Sequence, residues 1–114
     1  MKFLFLVRGD EEVEAGLTPD ERRAIVDERI AYATMLRERG VHVAGEALED
    51  TGSAAVVRPG REPLVTDGPF AETKEALGGF YVVDCTSRDE ALELAAQVPQ
   101  SPGVAVEVLR IAEF

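Results

Sequence analysis

The chain opens on an unbroken apolar run, Phe3-Leu4-Phe5-Leu6-Val7, bounded by Lys2 and by Arg8-Gly9-Asp10. Apolar side chains at odd and even positions alike describe a strand covered on both of its faces. After an acidic loop, Thr18-Pro19-Asp20-Glu21 has the form of a capping box with proline at the first helical position. It predicts a helix running to about Arg39, with Ile25, Val26, Ile30, Ala33 and Leu36 as its buried stripe and Gly40 as its stop. Val41 to Leu48 then reads as a strand whose alternation places His42, Ala44 and Glu46 on one side. Ala54 to Val57 and Pro63 to Thr66 flank Arg58-Pro59-Gly60-Arg61, where Pro followed by Gly suits a type II turn, so a hairpin is expected at a sheet edge. A strand over Phe80 to Cys85 follows. Ser87-Arg88-Asp89-Glu90 forms a second capping box, and Ala91, Leu94, Ala95 and Val98 fall at helical spacing before Pro99. Val104 to Ile111 is the last strand.

Both halves thus repeat strand, capping box, helix, strand. Right-handed crossovers place the two helices on one face of a four-stranded antiparallel sheet, an α+β, ferredoxin-like split βαβ fold with an inserted β-hairpin. Two helices cover one face, yet Phe3, Phe5 and Val7 stand opposite Leu4 and Leu6, and Val104, Val106 and Val108 opposite Ala105, Leu109 and Ile111. The second apolar face calls for a cover. The expectation is a homodimer whose sheets pack face to face and enclose a space that the loop at Asp67 reaches.

At 114 residues, without a linker or low-complexity run, the chain is one domain. Its 12 basic and 22 acidic residues give a net charge of −10, which speaks against direct contact with nucleic acid or an anionic membrane. Arg22, Arg23, Arg29, Arg37 and Arg39 cluster in the first helix, but interleaved carboxylates make that face internally paired. The N-terminal apolar run is too short for a signal sequence or membrane span, and Cys85 has no disulfide partner, so a cytoplasmic location is expected.

The candidate chemistry gathers in Val65-Thr66-Asp67-Gly68-Pro69-Phe70-Ala71-Glu72-Thr73-Lys74-Glu75, which runs on to Gly78-Gly79. Gly68 suits a positive φ, and the glycine pair admits a close backbone or ligand, so the loop is held at both ends. Asp67 beside Phe70, at the rim of an apolar space, is the candidate catalytic residue: desolvation favours its protonated form and suits it to proton transfer. The same residue before glycine also caps its own turn in many loops. Arg8 and Lys74 are candidate partners for an anionic group, Thr73 a hydrogen-bond donor, and Phe70 and Tyr81 pocket walls. Glu46 and Glu107 face either the inter-sheet space or solvent. His42 reads as a strand histidine, because no second His or Cys lies at ligand spacing. No phosphate-binding loop, dinucleotide fingerprint, hydrolase elbow or zinc spacing is present, so no cofactor and no metal are expected.

Thr66-Asp67-Gly68-Pro69-Phe70-Ala71-Glu72-Thr73-Lys74-Glu75, with Leu77-Gly78-Gly79-Phe80-Tyr81, Gly40-Val41, Ala44-Gly45-Glu46 and Val106-Glu107-Val108, resembles the DGPF-domain proteins of the YCII-related superfamily. The resemblance spans nearly the whole chain and implies a ferredoxin-like fold and a dimeric α/β barrel. Most such proteins are uncharacterised, some accompany extracytoplasmic-function sigma factors, and a few related enzymes act on muconolactone-type lactones. In one branch, a histidine on the first helix and an aspartate after the second are proposed as a catalytic dyad. Here the first helix has no histidine and Val98-Pro99-Gln100-Ser101-Pro102 has no acid, so that dyad does not carry over. Two functions are therefore expected. One is small-molecule binding in the dimer's cavity, with cofactor-free isomerase or lyase chemistry through Asp67; the alternative is a non-enzymatic regulatory or interaction module associated with sigma-factor-dependent transcription.

Overall fold

Lys2–Gly9 forms β1, the strand on which the rest of the sheet is assembled. A computed structural model describes residues 1–71, 74–99 and 103–114. β1 is followed by α1 (Glu11–Ala15) and α2 (Pro19–Glu38), then β2 (His42–Ala47), β3 (Ala55–Arg58), β4 (Leu64–Asp67), β5 (Ala76–Asp84), α3 (Arg88–Ala96) and β6 (Ala105–Arg110). The main sheet is antiparallel in the order β2-β5-β1-β6, and β3 and β4 form a separate two-stranded ribbon. This is the ferredoxin-like α+β arrangement with a hairpin between its second and third strands.

The helix ends follow the local chemistry of the sequence. Thr18 Oγ1 accepts the Glu21 amide at 3.1 Å, and Glu21 accepts the Thr18 amide at 3.0 Å, closing the capping box. That backbone bond, with the Thr18 hydroxyl, holds the exposed Glu21 carboxyl below its ordinary pKa. At the other end of α2, Gly40 has φ 72°. Its amide meets the Arg37 carbonyl, and the Val41 amide meets Leu36 at 3.1 Å, a Schellman closure joining two buried side chains. Ser87 accepts the Glu90 amide at the start of α3, but the Glu90 carboxylate takes the Thr86 amide instead of returning to Ser87.

The core lies between these helices and one side of the sheet: Phe3, Phe5 and Val83 from the strands meet Tyr32 and Leu36 of α2 and Ala91 and Leu94 of α3. Tyr32 donates to the Leu94 carbonyl at 2.7 Å, tying the two helices together. Among the described residues, the side chains that are buried all belong to this helix-side layer.

Several local expectations are corrected. The acidic segment after β1 is a short helix, because the Asp10 side chain accepts the amides of Glu12 and Val13. β5 begins at Ala76, not at Phe80, so Gly78-Gly79 lie inside a strand; the register slips between Val7 and Arg8, where Gly78 is skipped. A bulge between His42 and Ala44 pairs His42 with Val83 but Ala44 with Val82. His42 therefore sits on the helix side, opposite Ala44 and Glu46, with its Nε2 buried and unpartnered among the described residues. The hairpin extends no sheet edge, and Gly60 does not take a positive φ, so no type II turn forms. Five residues separate β3 from β4, and a connection of that length does not require one. In α2, Val26 and Ile30 are 49% and 60% exposed, and Tyr32 takes the core position.

Candidate functional site

The sequence placed its candidates around one loop; the structure divides them between the two faces of the sheet. Asp67 ends β4, paired across the ribbon with Ala55, and is exposed. The next residue, Gly68, has φ 95° and donates its amide to the Ala54 carbonyl at 2.7 Å. Left-handed backbone at this step turns the chain away from the ribbon, so glycine is required there. Among the described residues the Asp67 carboxylate makes no hydrogen bond, so it does not cap its own turn. Phe70 is 80% exposed, with the Arg58 guanidinium 5.6 Å from its ring centre. Lys74 is exposed. Thr73 and Glu72 lie outside the described residues.

Asp67, Phe70 and Arg8 share an open groove that also takes in Glu11, Asp50 and Leu77. Glu11 shapes its floor by accepting the Thr51 amide at 2.8 Å and the Thr51 hydroxyl at 3.0 Å. Asp50 does the same for the Gly52 amide. Arg8 reaches the groove from the end of β1, with Nη2 3.4 Å from the Glu107 carboxylate. The Glu107 carboxylate lies on the same side of the sheet as Arg8, away from the helices. Carboxylates outnumber the one arginine along this groove, which favours a neutral or cationic occupant over an anionic one.

Arg8 also ends a row on the sheet. Cross-strand neighbours share a face, so Leu4 with Val82 and Leu109, Leu6 with Phe80 and Glu107, and Arg8 with Leu77 and Ala105 form three successive ranks on the side away from the helices. The apolar members there are only half-buried, and Leu109 is 41% exposed. The protein measures 45 × 45 × 17 Å, a thickness that accommodates one sheet and one helical layer. The apolar face opposite the helices, and the groove at its end, thus form one continuous surface.

Tyr81 is on the other side. It pairs with Phe5 and Gly45, and its ring meets that of Tyr32 edge to face at 5.1 Å. There it lines a second concavity, of about 340 Å³, between α2 and the sheet, together with Arg29, Arg37, Val26 and Ile30. Burial raises the Tyr81 hydroxyl pKa, opposed by the charge of nearby Arg29. The sequence treated these arginines as an internally paired helix face. Arg29 does have a partner, Glu14 at 3.5 Å, but on α1, and Arg22 reaches the terminal carbonyls of that same helix. The overlooked signal was Gly45 aligned with an aromatic residue on the next strand. Cys85 is buried, and that burial, with the Glu90 carboxylate nearby, pushes its thiol up to about 11. Among the described residues, no group of three or more His, Cys, Asp and Glu is placed to hold a metal ion, and no helix is long and apolar enough to cross a membrane.

The family model of the YCII-related domain matches residues 1–114. An uncharacterised protein of Rhizobium meliloti (strain 1021) is 38% identical over 96 residues, covering 83% of this chain and 77% of that protein. With the whole chain matched by the family model, this protein belongs to the YCII-related family.

Proposed function

We propose that the protein is a small-molecule-binding homodimer in which two sheets face each other and the chamber between them opens into the groove of Asp67, Phe70 and Arg8. The observation that carries this reading is the dual place of Arg8, which ends the apolar rank of Leu4 and Leu6 and also lines that groove. A second sheet laid over the apolar face would withdraw about 25 cal/mol of unfavourable hydration per Å² covered, and would turn an open groove into a closed one. Asp67, without a hydrogen-bond partner among the described residues and standing beside Phe70, is then the group available for proton transfer in a cofactor-free isomerisation or elimination. Lys74, and Thr73 outside the described residues, complete the proposed binding set.

The test combines assembly with occupancy. Light scattering at micromolar concentration is expected to give the mass of two chains, and native mass spectrometry of freshly purified protein a bound small molecule that Asp67→Asn loses. Because the carboxylate is exposed and makes no hydrogen bond among the described residues, that variant should melt within about a degree of the parent. A monomer, or a variant that binds normally but melts much lower, would overturn the assignment.

A protein-contact role is favoured by a different observation. On one face of the β3–β4 ribbon, Val57 and Val65 pair across the strands and are each more than half exposed. Such a patch suits a macromolecular partner, including the transcription machinery of the alternative reading. Recovery of a stoichiometric partner protein that Val65→Lys releases is the result expected on that reading.

A further inference from the structure

The second concavity lies across the sheet from the Asp67 groove and owes its existence to missing side chains. Gly45 and Gly79 face α2 from the strands; a Cβ on Gly45 would lie 2.8 Å from Tyr81 Cδ1, and one on Gly79 would lie 3.1 Å from the Glu46 carbonyl oxygen. The backbone there is packed too closely for side chains to fill the space above it. α2 supplies the opposite wall. Val26, Arg29, Ile30, Ala33 and Arg37 recur at three- and four-residue steps and fall on one face of that helix. Val26 and Ile30 are apolar, yet 49% and 60% exposed, which is what the rim of an unfilled pocket looks like. At about 340 Å³, the space falls in the range of small-molecule sites.

Its polar groups have a definite sign. Arg29 and Arg37 stand against the single carboxylate of Glu14, while the Glu46 side chain belongs to the opposite face with Phe80. A local excess of positive charge is notable in a chain of net charge −10. Glu14 touches Arg29 through one nitrogen at 3.5 Å, leaving the other guanidinium donors open, and Arg37 has no ion-pair partner among the described residues. The Tyr81 hydroxyl, electrostatically coupled to Arg29, has no hydrogen-bond partner among them either. Tyr32, by contrast, spends its hydroxyl on Leu94.

We propose that this cavity binds a small monocarboxylic acid with a hydrocarbon body, its carboxylate received by the Arg29 guanidinium and the Tyr81 hydroxyl, its body lying along Val26, Ile30 and the glycine floor. A carboxylate held by an arginine and a phenol gains charge-assisted bonds that a neutral head group does not.

Octanoate and 1-octanol, titrated separately into the isotopically labelled full chain and followed by amide chemical shifts, form the test. Octanoate should saturate shifts at Gly45, Gly79 and Tyr81, with an affinity at least about tenfold above that of octanol. Tyr81→Phe and Arg29→Gln should each weaken octanoate about tenfold and leave octanol unchanged, their unperturbed amide spectra elsewhere showing that they fold. Equal affinity for acid and alcohol, shifts confined to Arg8 and Gly68, or no saturation would each overturn the proposal. Shifts at Arg8 and Gly68 would instead favour the Asp67 groove, so the two sites are read separately.

Discussion

Single residues here do their work through what surrounds them, and Cys85 is the clearest case. Burial, reinforced by Glu90, raises its thiol from the ordinary 9.0 to about 11. The fold thus favours the neutral thiol. Its contribution to stability is complete below the unfolded value near 9.0 and is lost as pH climbs through about 11. Thermal melts across that interval should fall more steeply for the parent than for Cys85→Ala. Tyr32 and Tyr81, also raised by burial, are present in both proteins, so the difference reports the thiol together with the effect of its charge on Tyr32. Equal slopes would refute this. At the same scale, the sequence disclosed that Asp67-Gly68 is a turn with positive φ, because only glycine takes that backbone cheaply. It did not disclose that Leu77 shares a face with Arg8 while Tyr81 shares one with Phe5, since the register slips opposite Gly78 between them.

Elements were legible wherever a local hydrogen bond decides them. The Thr18 box, the Gly40 closure and the Ser87 cap are written in residues three or four apart, and helix ends are set by such short-range pairs. Thr18→Ala removes one acceptor and should cost about 1 kcal/mol, seen as a drop of a few degrees in the melting temperature. Glu21→Gln, which keeps a capping side chain, should cost less. Elements failed to show themselves where the deciding partner is distant or the pattern ambiguous. α1 hid in an acidic stretch because a single aspartate caps it. The hairpin looked like a sheet edge because alternation describes a strand without naming its neighbour. The apolar stripe of α2 contained both core and pocket residues, and periodicity cannot separate them. Leu36 and Ile30 share that stripe, yet one is fully buried and the other mostly exposed.

For the whole molecule, the question is what lies over the sheet face of Leu4, Leu6, Phe80 and Val82. On the dimer proposal, Leu4→Lys, whose cross-strand neighbours Val82 and Leu109 are apolar, sets a charge between the two sheets, and a desolvated ammonium is costly. Light scattering should then report the mass of one chain, with the far-UV circular dichroism of the helices retained, because the helix-side core is untouched. A variant that keeps the parent's mass would argue against sheet-to-sheet assembly.

By itself the sequence determined the helix caps, the glycine-dependent turn, the βαβ repeat and the excess of apolar strand positions over what two helices cover. All of these rest on interactions between near neighbours or on simple counting. Only the tertiary structure decided which side of the sheet each candidate occupies, that the ribbon stands apart, and that Gly45, Gly79 and α2 bound a cavity. Those outcomes depend on strand register and on helix placement across the sheet, where a one-residue slip moves a side chain from one face to the other.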